Sequence, residues 1–258
     1  MKKKILIFTG SRSEYGILKS IIFQLKGIKN FDTKILVSGT HLNKKFGETI
    51  KEIYQDKLNS LVIIRTLHDS TNRQNISIAI SSGIKKISKY FEKNKPDLVL
   101  LVGDRYELYS IAITCLIYNV PICHVHGGES TYGLIDDYVR HSITKMATFH
   151  FVSNEIYKNR IIQMGEESKN IICSGSPSID ILKKMSFYNK KKLEKLLNIT
   201  FLKKIFVITY HPITTNKKKT LSEITNLLNA LSNFKNFSII FTLPNFDDNS
   251  DLVIKKIK

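Results

Sequence analysis

The stretch PDLVLLVGDRYELYSIAITCLIYNVPICHVHGGESTYGLIDDYVRH, residues 96–141, decides the fold. Two apolar runs in it, 98–102 and 120–125, have the near-continuous hydrophobicity of parallel strands buried on both faces. The first ends in Gly103-Asp104-Arg105 and the second in His124-Val125-His126-Gly127-Gly128-Glu129. Between them, residues 106–118 have the length and pattern of a helix. This is a strand–helix–strand unit. Its chemistry-bearing residues fall at the strands' C-terminal ends, where open α/β sheets bind ligands.

Working outward, residues 4–9 read as a first strand, followed by Gly10-Ser11-Arg12-Ser13-Glu14-Tyr15-Gly16 and a helix over 15–27. The turn matches neither GxGxxG nor GxxxxGK[ST]. A glycine-flanked loop at a helix N-terminus suits an anion, though a plain βα turn has the same spacing. Residues 33–37 form a second strand, with Gly39-Thr40-His41 leading into a helix to about 55. A third strand covers 61–65, and a polar stretch over 69–75 leads into a long helix ending near 92. Beyond the central unit come a helix over 136–146, a strand over 149–152, Asn154 as a cap, a helix over 155–164 and a strand over 171–173 that ends in GSPSID, 175–180. Asp136 and Asp137 occupy the first turn of their helix, where acids are favoured. Such alternation predicts a parallel sheet with helices on both faces.

Composition shifts at Lys183. Residues 183–195 are basic and read as a linker or crossing helix. A second β–α series follows: a strand over 205–209, His211-Pro212, a helix over 220–231, a strand over 238–243, Pro244-Asn245, residues from 247 onward, and a helix-like 252–258. The expected organisation is a complete Rossmann-like domain over 1–182, a linker over 183–200 and an incomplete second domain over 201–258. Two βα units fall short of the ~100 residues a full doubly wound domain usually needs.

At 258 residues the chain can bury one large core or two smaller ones. No run reaches the ~18 apolar residues of a membrane span. The apolar run after Met-Lys-Lys-Lys is too short for a signal peptide and lacks a cleavage site, so a cytoplasmic protein without membrane partners is expected. Cys115, Cys123 and Cys173 show no CxxC spacing, and their odd number argues against a disulfide framework. The net charge of +18 raises a nucleic-acid reading. The lysines are scattered, however, and no RRM, KH, zinc-finger or helix-turn-helix signature is present. No specific nucleic-acid partner is expected, while an anionic small substrate would profit from the same field. Three of the six arginines, Arg12, Arg105 and Arg140, fall in polar clusters at strand or helix ends. Their rigid forks suit phosphate and carboxylate, or pair with nearby acids such as Glu107 and Asp137.

Asp104 leaves a buried strand directly, where it can bind ligand hydroxyls or, with its pKa raised by burial, act as a base. It could equally pair with Arg105 or cap the following helix. His124 and His126 alternate on a strand and so share a side. With Glu129 they could begin a metal site, but no third ligand stands at a signature spacing, and no metal is expected. The better reading is one core hydrogen-bonder and one imidazole at the cleft. Gly127-Gly128 allows close backbone approach to a ligand, or a tight turn. Asp136 and Arg140 are i, i+4 on one helix face, which an ordinary ion pair also explains; His141 lies beside them. His211 follows a strand of the second series and precedes Pro212, which restricts it to extended backbone. Tyr15, Tyr106, Tyr132 and Tyr138 are expected to pack.

At this point the chain resembles the hydrolysing UDP-N-acetylglucosamine 2-epimerases of sialic acid biosynthesis. The resemblance rests on GSRSEYG (10–16), SGTHLNKKFGETIKEI (38–53), GDRYE (103–107), HVHGGE (124–129), IDDYVRHSITKMATFHFVS (135–153), RIIQMGE (160–166), GSPSID (175–180) and YHPITT (210–215). These occur in order, at natural spacing, over nearly the whole chain. The resemblance implies an α/β, GT-B-like fold of two Rossmann-like domains facing across a cleft, possession of no cofactor, and a homodimer. The implied reaction converts UDP-N-acetylglucosamine and water to N-acetylmannosamine and UDP, by elimination across C1–C2 and then hydration of the glycal. Carried over by position, Asp104, His126, Asp136 and His211 are catalytic candidates, with Asp137 the fallback for Asp136. Arg12, Arg105, Glu129, Asp137 and Arg140 are substrate-binding candidates. His126 stands where some relatives have Glu. The chain also departs from the family: no Gly-Asn-Ser-Ser-Ser-Gly stretch and no downstream ribose-gripping acid follow Pro244-Asn245. The expectation is a C-terminally truncated chain that binds UDP poorly, has little activity and exposes strand edges. The rival readings are a GDP-linked diacetamido-sugar 2-epimerase of the legionaminic-acid branch, a nucleotide-sugar binding protein without catalysis, and a glycosyltransferase of the same architecture.

Overall fold

In β1 (Lys3–Thr9), Ile5 and Ile7 point to one face of a sheet and Leu6 and Phe8 to the other. All four are buried, so this strand needs helices above and below it. It gets them in a seven-stranded, all-parallel sheet of order β3-β2-β1-β4-β5-β6-β7. The remaining strands are β2 (Phe31–Val37), β3 (Leu61–Ile63), β4 (Leu98–Val102), β5 (Ile122–Val125), β6 (Phe149–Val152) and β7 (Ile171–Cys173). β1 pairs with β2 on one side and β4 on the other. The chain therefore reverses its direction of winding between β1 and β4, and a crevice opens at their C-terminal ends. The structure is a computed structural model that describes residues 2–58, 60–66, 73–132, 134–212, 216–244 and 250–258. Residues 69–72, 213–215, Asn245 and Asp247 of the stretches named above lie outside the described residues.

One face carries α3 (Arg73–Asn94), α4 (Leu108–Ile117) and α5 (Ile135–Met146), which bury Ile87, Leu108, Ile111 and Ile143 on Leu6, Phe8, Val99 and Leu101. The other carries α1 (Arg12–Lys26) and α2 (Ile50–Gln55), which bury Leu18, Ile22 and Ile53 with Ile5, Ile7, Leu100 and Val102. α6 (Glu155–Gln163) precedes β7, and α7 (Pro177–Lys184) packs on α1. Asn154 caps α6 by accepting the Tyr157 N–H at 3.1 Å.

Three local expectations need correction. α1 begins at Arg12, three residues early, because Ser11 and Glu14 form a capping box: Ser11 Oγ accepts the Glu14 N–H and Glu14 accepts the Ser11 N–H. Gly16 thus lies inside the helix and does not close a loop. The helix expected up to residue 55 is broken into 3₁₀ turns at Gly39–Leu42 and Lys44–Phe46 before α2. Gly47 (φ 84°) and Glu48 (φ 49°) turn the chain left-handed there. The third strand, expected over 61–65, stops at Ile63, while the GSPSID segment that follows β7 starts a helix, with Pro177 at its first position, where a missing N–H costs nothing.

By internal packing the chain divides into two units, Met1–Lys184 and Met185–Lys258. The second has α8 (Lys190–Leu197), α9 (Lys217–Leu231), α10 (Ser250–Ile257) and a parallel pair, β8 (Lys204–Thr209) and β9 (Phe237–Thr242), in the register Lys204↔Phe237. Phe206 stacks on Phe237 with ring centroids 4.7 Å apart, and Phe234 meets both edge-on. No described helix is long and apolar enough to cross a membrane.

Gly83 gives a direct test of the α3–α4 contact. A Cβ there would overlap Ser110 Oγ and sit 2.6 Å from Ser110 Cβ. Ser110 is buried and its hydroxyl is committed to the Ile80 carbonyl at 3.1 Å. Gly→Ala in a helix ordinarily stabilises by about 1 kcal/mol, but overpacking costs about 1–3 kcal/mol. Gly83→Ala is expected to lower the midpoint of a urea melt; an unchanged or raised midpoint would contradict this packing.

Candidate active site

The loop after β1 sits against the loop after β2. Gly39 has φ 57°, and a Cβ on it would lie 2.6 Å from the Gly10 carbonyl oxygen, which also accepts the Thr40 hydroxyl at 2.9 Å. His41 is buried between the hydroxyls of Thr9 and Thr49, at 2.9 and 2.8 Å. Burial pushes its imidazole down to about 4, so it is a neutral strut. Arg12 is exposed in the first turn of α1, beside the free N–H groups of a helix start.

Beneath that turn lies a carboxyl that sequence reading passed over. Glu14 is buried; Oε2 accepts the Gly10 and Ser11 N–H groups at 2.5 and 3.1 Å, while Oε1 has no hydrogen-bond partner. Burial, with the charge of Glu107 added, pushes Glu14 up to about 8. The Ser11-x-x-Glu14 spacing was the available signal. Arg105 grips Glu107 with two hydrogen bonds of 3.3 Å, the acid pairing that its position allowed.

The centre of the edge is Arg140, which is buried on α5. Its Nη2 donates to Asp104 and, at 3.3 Å, to the Thr131 hydroxyl. Its Nη1 donates to the His126 carbonyl at 3.1 Å and to Glu129 Oε2 at 3.3 Å. One guanidinium thereby joins the ends of β4 and β5 to α5. Burial raises the Asp104 carboxyl above its usual range despite the charges of Arg140 and Arg105. Asp104 pairs with Arg140 and does not cap α4, which starts without a side-chain cap.

His124 and His126 do not share a side. β5 ends at Val125, and His126 adopts φ 63°. His124 stays in the core, between the Gly103 carbonyl at 2.8 Å and Thr144 Oγ1 at 3.2 Å, where burial pushes it down to about 3. His126 instead meets Glu129, Nδ1 to Oε1, at 2.5 Å. Burial works to raise Glu129, but the bond and charge from His126, the Arg140 charge and the Ser153 hydroxyl together hold it below its usual range. The paired glycines serve packing. A Cβ on Gly127 would lie 3.0 Å from both His124 and Thr144; one on Gly128 (φ 73°) would lie 2.7 Å from Ile161 and from the Tyr157 carbonyl.

Asp137 accepts from the Thr131 N–H at 2.7 Å and Ser130 Oγ at 3.1 Å, and those bonds hold it below its usual range. It shapes the loop that leads into α5. Asp136 is half-buried on the same first turn. Tyr15 is buried, with its hydroxyl on Asp56 at 2.5 Å, whereas Tyr132 and Tyr138, expected to pack, are 88% and 76% exposed. The first unit thus brings Asp104, His126, Glu129 and Arg140 into direct contact, with Arg105 beside them. His211 is exposed after β8 in the second unit. Cys115, Cys123 and Cys173 are free, and no group of three His, Cys, Asp or Glu among the described residues is placed to hold a metal ion.

Comparison with known proteins bears on this edge. The family described as UDP-N-acetylglucosamine 2-epimerase matches residues 24–258. The chain belongs to this family. Within it, the chain is 42% identical over 253 residues to the GDP/UDP-N,N'-diacetylbacillosamine 2-epimerase (hydrolyzing) of Campylobacter jejuni, covering 98% of this chain and 65% of that protein. It is 37% identical over 257 residues to the polysialic acid biosynthesis protein P7 of Escherichia coli, covering 66% of it. The chain therefore spans about two thirds of the length of these relatives. The crystal structure of the Neisseria meningitidis UDP-GlcNAc 2-epimerase bound to UDP-GlcNAc matches with a TM-score of 0.77 at 19% identity, over 98% of this chain and 68% of that one. The epimerase-family fold here is α/β and GT-B-like.

Glu14 sets a pH dependence. Its ordinary value of 4.5 and folded value of about 8 mean that the folded chain holds a proton which the unfolded chain releases between them. That stabilisation is complete below pH 4.5 and is lost as pH rises through 8. The buried, depressed imidazoles act in the opposite sense, but only below their unfolded value of 6.5. Between these two values stability is expected to fall by up to about 1.4 kcal/mol per pH unit, and to stay level in Glu14→Gln. Urea melts across the window check this; equal slopes for the two proteins would refute it.

Proposed function

We propose that the chain carries the proton-handling site of a hydrolysing nucleotide-sugar 2-epimerase. The observation behind the reading is Arg140, which holds Asp104 and the His126–Glu129 pair around one buried guanidinium at the sheet's switch point. These groups are tuned apart: the Asp104 carboxyl is raised by burial, while Glu129 is kept ionised behind an imidazole. Pairs tuned in this way divide acid and base work.

The substrate is a 2-acetamido sugar joined through C1 to a nucleoside diphosphate. A base removes the C2 proton, the C–H electrons form C1=C2, and the C1–O bond breaks with the diphosphate taking the pair. Water then adds its oxygen at C1, and a proton returns to C2 from the opposite face. Inversion requires proton-handling groups on both faces. His126, through Nε2, and Asp104 fill these roles, with Asp136 at the start of α5 as a further proton carrier. Arg12 and Arg105 steady the departing diphosphate, and His211, in the second unit, is a further catalytic candidate. Glu129 and Arg140 hold the machinery and face the sugar, and Asp137 keeps their loop in place.

The first substrate reading is UDP-N-acetylglucosamine, giving N-acetylmannosamine and UDP for sialic acid or surface polysaccharide synthesis in the cytoplasm. A second reading, a GDP- or UDP-linked 2,4-diacetamido sugar, is favoured by the higher identity to the relative named for diacetylbacillosamine.

Proton NMR of the chain in deuterated water, with each sugar nucleotide in turn, tests both. Release of the nucleoside diphosphate together with a sugar deuterated at C2 supports the reading and overturns the expectation of a chain with little activity. Asp104→Asn and His126→Gln are each expected to lower turnover about 100-fold or more while the sugar nucleotide still binds. If the folded chain turns over none of the substrates, or the variants keep full turnover, the reading falls.

A further inference from the structure

We propose that Arg160 and Ser153 are positioning residues that lock the His126 imidazole in one tautomer, with the proton on Nδ1 toward Glu129 and Nε2 left as the acceptor. The proposal rests on the reading of His126 as a proton-handling group, and it assigns work to two side chains that the sequence reading gave no role.

The turn from His126 to Glu129 is a strained one. His126 has φ 63° and Gly128 φ 73°, and a left-handed residue with a Cβ costs about 1–2 kcal/mol. Such a turn persists only where its surroundings hold it. The His126 N–H is tied to the Phe151 carbonyl at 3.0 Å. On the far side the hold comes from α6. The Arg160 guanidinium donates to the Gly128 carbonyl while lying over the Tyr157 ring, 5.6 Å from its centroid. Ile161 and the Tyr157 carbonyl fill the space where a Gly128 side chain would be. The peptide between Gly128 and Glu129 is therefore gripped, and that peptide sets where the Glu129 side chain begins.

Ser153, at the end of β6, completes the grip. Its hydroxyl donates to Glu129 Oε1 at 3.1 Å, the oxygen that meets His126 Nδ1 at 2.5 Å; Oε2 takes Arg140 at 3.3 Å. A carboxylate surrounded by three donors is an acceptor only, so a proton sits on Nδ1, and in the neutral ring Nε2 carries the lone pair. The Ser176 hydroxyl lies 3.5 Å from Nε2, on the side from which a donor would approach. Neither Arg160 nor Ser153 bonds to the ring itself. Both act through Gly128 and Glu129.

The test is a long-range proton–nitrogen spectrum of the 258-residue chain labelled with ¹⁵N-histidine, with His126→Gln assigning the ring. The native chain is expected to show the neutral His126 ring as a single Nδ1-protonated tautomer. Arg160→Met and Ser153→Ala are each expected to move the two nitrogen shifts toward each other, as the tautomers mix, and Arg160→Lys to restore part of the difference. If the native ring carries its proton on Nε2, or if both variants, folded by their circular dichroism, leave the shifts unmoved, the proposal is overturned. Turnover is read separately: Arg160→Met is expected to lower kcat about 10- to 100-fold with little change in KM. A tautomer lock seen without any effect on turnover would uphold the lock and remove His126 from the chemistry, so the two readings fail independently.

Discussion

A guanidinium inside a protein needs anions around it, and Arg140 has two, Asp104 from the end of β4 and Glu129 from the turn after β5. Removing one partner from such a group costs about 3–5 kcal/mol, far more than an exposed pair contributes. The backbone near it follows from this need. The loop after β5 bends left-handed at His126, which lets its carbonyl and the Glu129 carboxylate both face Arg140. Asp137, one turn earlier on α5, ties down Ser130 and Thr131, so that the Thr131 hydroxyl can take a further Arg140 N–H. Asp104, His126 and Glu129 are thus placed by one cation. Any group that handles protons here does so within its field.

The strands and α5 were legible because β4 is an uninterrupted apolar run that stops at Gly103, and β5 is apolar but for His124 and stops before His126 and the Gly127-Gly128 pair. Burial on both faces leaves few polar positions to confuse the pattern. Boundaries set by a single backbone preference were harder. The start of α1 turns on two side chains that exchange hydrogen bonds with the backbone, and the break before α2 turns on Gly47 and Glu48. Both are local features that periodicity smooths over.

The same division holds at the site. Asp104, His126, Glu129 and Arg140 could be named from their place at strand and helix ends. Their pairing could not, because Asp104 and Arg140 meet across 36 positions of sequence. Asp136 and Arg140 looked like partners from helical spacing alone, while the bonds between Arg140 and the turns come from sheet order. Arg160 and Ser153 fall within stretches that carry the resemblance, but nothing in the sequence gave them a role, since their worth comes from what a carbonyl and a carboxylate elsewhere require. The two glycines after His126 read as a sign of ligand approach or of a tight turn, and the space they leave is filled by Ile161, Tyr157 and His124.

The sheet order has a consequence for how the chain is made. β1 lies inside the finished sheet, third of its seven strands, but its partner there, β4, pairs as Ile5↔Leu98, 93 positions later. At a ribosome adding roughly 5–20 residues per second, that interval is about 5–20 s. During it the nascent β1–β2 pair offers an open apolar edge to any other emerging chain. Lys2, Lys3 and Lys4 sit at the head of that edge, where like charge repels a second copy. Lysines that look like idle surface in the completed fold would act as guards during synthesis, until β4 arrives and closes that edge.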